Sequence, residues 1–147
     1  MIYAIGSVYG STDEMLPQFL ARKVVCIGWP KTEAAALHQM LGQIAVGDII
    51  FVKSHPPSHG LYIKAVGIVD SPEVYSFPDL GSGRSVQWLW GQNPETRPLP
   101  LGRQNDRYDN FRGGSLYQEF GPAVQAAIID LVVNGDGASV LKESALE

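Results

Sequence analysis

The chain has 147 residues, the ordinary size of one domain, and its 45% apolar and 18% charged content is that of a folded globular protein rather than a disordered one. No apolar run approaches the roughly 20 residues of a membrane span, and the N-terminus lacks the basic region and cleavage site of a signal peptide, so a soluble, cytoplasmic protein with no membrane partner is expected. A net charge of −4 argues against a protein that coats nucleic acid through bulk electrostatics, and the single Cys26 excludes an internal disulfide.

In chain order, Ile2–Ile5 reads as an opening strand stopped by Gly6, and the polar residues 7–12 read as a loop. Ser11 or Thr12 can cap a short helix with Asp13 and Glu14 in its first turn; Pro17 must then sit in the first turn, or the helix starts later. Lys23–Ile27 is the next strand and ends at Gly28-Trp29-Pro30. Thr32 reads as the N-cap of a helix over Glu33–Leu41, whose apolar face is Leu37, Met40, Leu41 and Ile44, with His38 at its rim.

Val46–Asp70 reads as a strand–loop–strand unit at the centre of the domain. Ile49–Lys53 is an almost wholly apolar strand, and His55-Pro56-Pro57-Ser58-His59-Gly60 fits neither a strand interior nor a helix. In the returning strand Leu61, Ile63, Ala65, Gly67 and Val69 share one face, and Gly67 suggests a bulge or bend. Residues 71–84 read as a loop and Ser85–Trp90 as a strand with Trp88 and Trp90 on one side. Residues 91–114, rich in Pro, Gly, Asn and Arg, form a long loop, ordered or partly mobile. Gly121-Pro122 opens a helix to about Val133 with Val124, Ile128 and Leu131 inward, and Asn134-Gly135 ends it. One domain over residues 1–134 is expected, followed by a flexible tail over 135–147.

Motif chemistry is mostly absent. There is no GxxxxGK[ST] phosphate loop and no GxGxxG opening a helix after a strand. The prolines between His55 and His59 deny them helical metal-ligand geometry, and Cys26 reads as a buried small hydrophobe, so no metal, no cofactor and no catalytic residue is assigned. What stands out is aromatic and basic. Trp29, Trp88 and Trp90 lie at strand ends or on one strand, where they can cap a core or offer a flat surface to a base. Arg84, Arg97, Arg103, Arg107 and Arg112 outnumber Glu95, Asp106 and Asp109 between residues 84 and 112, a local balance of +2 that leaves room for a phosphate-facing surface.

The succession Ile2-Tyr3-Ala4-Ile5-Gly6, Val24-Val25-Cys26-Ile27-Gly28-Trp29, Val46-Gly47-Asp48-Ile49-Ile50, Ile63-Lys64-Ala65-Val66-Gly67-Ile68-Val69 and Val86-Gln87-Trp88 resembles the EVE-like branch of the PUA superfamily. That branch is similar to YTH domains and to domains that read modified DNA in restriction systems. The resemblance covers roughly residues 2–90, with a looser match through the C-terminal helix. It implies an α+β fold: a small, bent, mainly antiparallel β-barrel of PUA-like type with flanking helices. It also implies a nucleic-acid-binding module whose aromatic cage accepts a flipped, modified base of DNA or RNA. By position, Ser7, Val8, Tyr9, Trp29, Lys53, Ser54, Trp88 and Trp90 would form that pocket, with Trp and Tyr sandwiching the base and Ser7 and Ser54 reading its edge. Lys53 or the arginines Arg103, Arg107 and Arg112 would hold phosphate. A nuclease or methyltransferase is a conceivable protein partner. The chain departs from many relatives in holding no nuclease or NTPase within its 147 residues, and in Pro56-Pro57.

Two other readings compete. PUA-like domains of the ASCH type are proposed to act on modified nucleosides; here Lys53 would be the base and Asp48 or Glu73 the acid, although the GxKxxTxR-like signature is absent. Alternatively, the fold serves as a protein-interaction subunit without a nucleotide pocket.

Overall fold

The computed structural model describes residues 1–135. Its strands are β1 (Ile2–Gly6), β2 (Val8–Tyr9), β3 (Asp13–Glu14), β4 (Val24–Ile27), β5 (Ile49–Ser54), β6 (Leu61–Phe77), β7 (Gly81–Trp90), β8 (Leu99–Gly102) and β9 (Leu116–Gln118). Three α-helices, α1 (Leu16–Arg22), α2 (Ala35–Gln43) and α3 (Pro122–Asn134), complete an α+β fold. The main sheet runs β4-β7-β6-β5-β1-β9, with β8 beside β6 and β2-β3 as a separate hairpin. All pairs are antiparallel except β1 with β5, where Ile2 faces Ile49 and Gly6 faces Lys53. No pairing among the described residues closes this sheet into a barrel, for β4 and β9 end the path.

Alternation along the central strands divides the apolar residues between two cores. Tyr3, Ile5, Ile50 and Val52 face the layer of α1 and α2, meeting Phe19, Leu41 and Ile44. Ala4 and Phe51 face α3, meeting Val124, Ile128 and Leu131. Both faces of β1 and β5 are therefore covered, which is why these strands read as continuous apolar runs. The inner faces expected for α2 and α3 are the observed ones, Pro122 opens α3, and Gly135 ends it in the left-handed conformation.

Bulges redistribute the rest. Between Val52↔Ala65 and Lys53↔Ile63, Lys64 is an extra residue in β6, so Leu61 and Ile63 join the α3-side core while Ala65 and Val69 join the other. A second irregularity falls at Val66/Gly67, where Gly67 was expected to bend the strand. Opposite it, Leu89 is the extra residue, and the tryptophans are parted: Trp88 packs against the α1/α2-side core and Trp90 lies in the α3-side core. They do not share a face.

Other boundaries moved for local reasons. Asp13 and Glu14 pair with β2 rather than opening a helix, and α1 starts at Leu16 with Pro17 in its first turn. Thr32 does not cap α2; the N–H groups of Glu33 and Ala34 both bond to the Pro30 carbonyl, and the helix starts at Ala35. The expected loop at 71–84 is a hairpin, with Val74–Phe77 of β6 paired to Gly81–Arg84 of β7. Pro72 is accommodated because the ladder is interrupted between Val69 and Val74. Arg84, fully buried, donates to the carbonyls of Leu41, Ile44 and Ser71, and so serves the open C-terminal end of α2. The long loop holds β8 and a 3-10 turn at Asp109–Phe111. The tail expected over 135–147 lies, except for Gly135, outside the described residues. Among the described residues no helix is long and apolar enough to cross a membrane.

Candidate functional site

β1 and β4 are not hydrogen-bonded neighbours, and between their ends lies a cavity of about 670 Å³. Gly6 and Ser115 line it from one side, Ile27, Gly28, Trp29, Pro30 and Glu33 from another, and Val8, Tyr9, Gly10 and Ser11 of the hairpin from a third. Three of the residues expected in a base pocket, Val8, Tyr9 and Trp29, meet here. Trp29 stays half-exposed because Gly28 and Pro30 keep it in a turn, and it is tied down at two points. Its indole N–H donates to the Ser115 hydroxyl at 3.0 Å, and its carbonyl lies 2.8 Å from Nε2 of His38 on α2.

Tyr9 lines the cavity from the hairpin. Its hydroxyl donates to the Leu80 carbonyl at 2.7 Å and its ring meets Phe19 edge-on, so burial raises its pKa and keeps it neutral. The ring packs against Gly28, where a Cβ would come within 2.9 Å of it. That position excludes a side chain.

Ser7 does not line the cavity. Between Gly6 and Val8 its side chain turns to the opposite side, fully buried, where it donates to Glu14 and accepts from Lys64 Nζ at 2.7 Å. Lys64 also bonds Glu14 at 2.6 Å. Burial alone would raise the Glu14 carboxyl, yet the bonds from Lys64 and Ser7 hold it below its ordinary value. The triad joins the hairpin that carries Tyr9 to the sheet, and it depends on the bulge that frees Lys64 from the β6 alternation.

The remaining expected residues lie elsewhere. Lys53 is the register partner of Gly6, at the cavity end of the sheet, but it points to the α3 side. There Nζ donates to the Arg112 carbonyl at 2.9 Å and sits 5.5 Å over the Tyr117 ring. Burial, then the like charge of Lys64, lowers its pKa to about 8. Ser54 and the Pro56-Pro57 loop do not reach the cavity, and neither do Trp88 and Trp90. Asp48 sits at the opposite end of β5 from Lys53, held by the N-terminal amine and the Ala45 N–H, and Glu73 is exposed on β6; no acid–base pair forms.

Arg112 cannot contact phosphate. It is fully buried and donates to Asp106 at 2.7 and 2.9 Å and to Glu119 at 2.9 and 2.8 Å. Burial disfavours its charge, but Glu119 and Asp106 raise its pKa overall. Arg103 and Arg107 are exposed: Arg103 bonds Asp109 and the Pro57 carbonyl, and Arg107 lies over the Tyr108 ring.

The cavity residues Gly10, Ser11, Glu33 and Ser115 went unforeseen. Ser115 is brought in by β9, a three-residue strand too short to leave a periodicity, through the bond from the Gly6 N–H to the Ser115 carbonyl at 2.9 Å. Among the described residues no group of three or more His, Cys, Asp or Glu has metal-site geometry. No family model matches the chain, and no curated protein matches it.

Proposed function

We propose that this chain is a nucleic-acid-binding module that takes up a flipped-out, modified base between Tyr9 and Trp29. The observation that carries the reading is the cavity: at about 670 Å³ it falls within the roughly 300–1,000 Å³ of small-molecule sites, and two anchored aromatic rings flank it. Stacking is worth about 1–3 kcal/mol per base, which offsets much of the few kcal/mol that extrusion costs. The hydroxyls of Ser11 and Ser115 and the carboxylate of Glu33 supply edge contacts. A carboxylate accepts from an exocyclic amino group, which favours a modified cytosine or adenine.

The EVE-like resemblance belongs to the same proposal. That resemblance implies a pocket that accepts a base, lined in part by Val8, Tyr9 and Trp29, and these three residues line the cavity. A nuclease or methyltransferase partner would then supply the response to binding.

The test is titration of the chain with oligonucleotides carrying methylated or hydroxymethylated bases, followed by tryptophan fluorescence. A saturable quench that disappears in Trp29→Ala, with the far-ultraviolet spectrum unchanged, is expected. Unchanged fluorescence at saturating concentrations of every such oligonucleotide sinks the proposal.

A further inference from the structure

A second aromatic surface lies outside the cavity. The Arg107 guanidinium sits 5.2 Å over the Tyr108 ring, and that ring is 5.9 Å from the Phe120 ring at a 38° tilt. Phe120 is 52% exposed, and Phe111, whose N–H bonds the Tyr108 carbonyl, is 66% exposed. Leaving two phenylalanines this open forgoes stabilisation that burial would give. Their neighbours Asn105, Arg107 and Asn110 are also exposed.

The array is held from beneath. Arg112 chelates Asp106 and Glu119, which immediately precede Arg107-Tyr108 and Phe120 in the chain. Asp106 further accepts the Tyr108 N–H at 3.0 Å, and Glu119 accepts the Gly121 N–H at 2.8 Å. A Cβ at Gly121 would come within 2.4 Å of the Arg112 guanidinium, so the bend after Phe120 is closed to any side chain. The buried Arg112 and Glu119, with the partly buried Asp106, thus fix the exposed Phe120 ring beside the half-buried ring of Tyr108.

From this the geometry points to a stacking platform for single-stranded nucleic acid, with Phe120 and Tyr108 receiving a base and Arg107 receiving its phosphate. The Arg107 guanidinium, which donates to the Tyr108 hydroxyl at 3.1 Å, stands with the exposed Phe120 ring around Tyr108, and a cation beside an open ring matches a chain of alternating bases and phosphates. The platform connects to the cavity through residues 111–115, which end at the cavity residue Ser115. It rests on the cavity reading for the choice of a nucleic acid, and extends it to nucleotides flanking the flipped one.

The experiment uses the whole chain and a fluorescein-labelled, unmodified ten-nucleotide thymidine strand, with anisotropy read across a salt series. Phe120→Ala is expected to weaken binding about five- to 150-fold and Phe120→Trp to restore it. Arg107→Ala should make the dependence of log affinity on log salt shallower by about 0.7. Binding that ignores both the Phe120 and Arg107 substitutions overturns the inference, as does wild type that fails to bind at low salt. If Phe120→Ala instead changes only the sedimentation behaviour, the face is a protein interface and the inference fails. The cavity reading is tested separately by a methylated mononucleoside, too small to span both surfaces, so the two failures are distinguishable.

Discussion

Lys53 allows a quantitative test of the packing on the α3 side. Its amine is buried, with the Arg112 carbonyl and the Tyr117 ring as partners, and its pKa falls from 10.5 to about 8. A lysine whose folded value lies below its unfolded value carries its charge in the folded state at a penalty. That penalty is complete below about pH 8 and is relieved as pH rises toward 10.5, because the unfolded chain then binds more protons. Between about pH 7 and pH 9 the unfolded lysine keeps nearly all of its proton while the folded one loses most of its own, which integrates to about 1.3 kcal/mol of added stability. Cys26 acts in the opposite direction from about pH 9, since burial pushes its thiol up to about 12 and the unfolded thiol ionises first. Comparison with Lys53→Met cancels that contribution. Urea unfolding of both proteins at about pH 7 and pH 9 should show wild type gaining about 1.3 kcal/mol relative to the variant. Parallel pH profiles would refute the assignment of a desolvated amine.

Removing the guanidinium in Arg112→Met strands the buried Glu119 carboxylate, and should cost about 3–5 kcal/mol in urea unfolding at neutral pH. Gly28→Ala forces the Tyr9 ring off the backbone; a loss of about 1–3 kcal/mol is expected, with a changed near-ultraviolet tyrosine signal that a remote substitution would not give. Lys64→Met opens the Ser7–Lys64–Glu14 triad, so the hairpin amides should exchange with solvent faster while those of β5 keep their protection, read by hydrogen exchange. The same triad sets an acid limit: Glu14 is held below its ordinary value, so its contribution is present at neutral pH and is lost as pH falls through the folded value.

The layers of this fold were legible wherever burial follows a simple period. Leu41 with Ile44, and Val124 with Ile128 and Leu131, identify inner helix faces, and the apolar run Ile49–Val52 identifies a strand covered on both sides. Legibility thinned at the bulges, where Gly67 marked one irregularity but not its effect on the partner strand. One extra residue at Leu89 parts Trp88 from Trp90, and one at Lys64 sends a lysine to Ser7; neither insertion leaves a trace in alternation, because it is defined by the partner strand. The cavity was half legible: Val8, Tyr9 and Trp29 come from turn chemistry and resemblance, whereas Ser115 arrives through a tertiary pairing 86 residues from Trp29. Among the arginines, local charge balance cannot separate Arg112 from Arg107. The difference is made by Glu119, which lies beyond the arginine-rich segment and is carried to Arg112 by the path of β9.

The double covering of β1 and β5 bears on how the molecule comes apart. Ala4 and Phe51 belong to one core while their chain neighbours Tyr3, Ile5, Ile50 and Val52 belong to the other. Neither layer can detach without exposing the shared strands, so the two cores melt as one cooperative unit rather than as separable halves. The Tyr9 hairpin is fastened to that unit by side chains rather than by a strand ladder, through the Ser7–Lys64–Glu14 triad, the Tyr9 hydroxyl on Leu80 and the Tyr9 ring on Phe19, so the cavity wall can yield without breaking the main sheet.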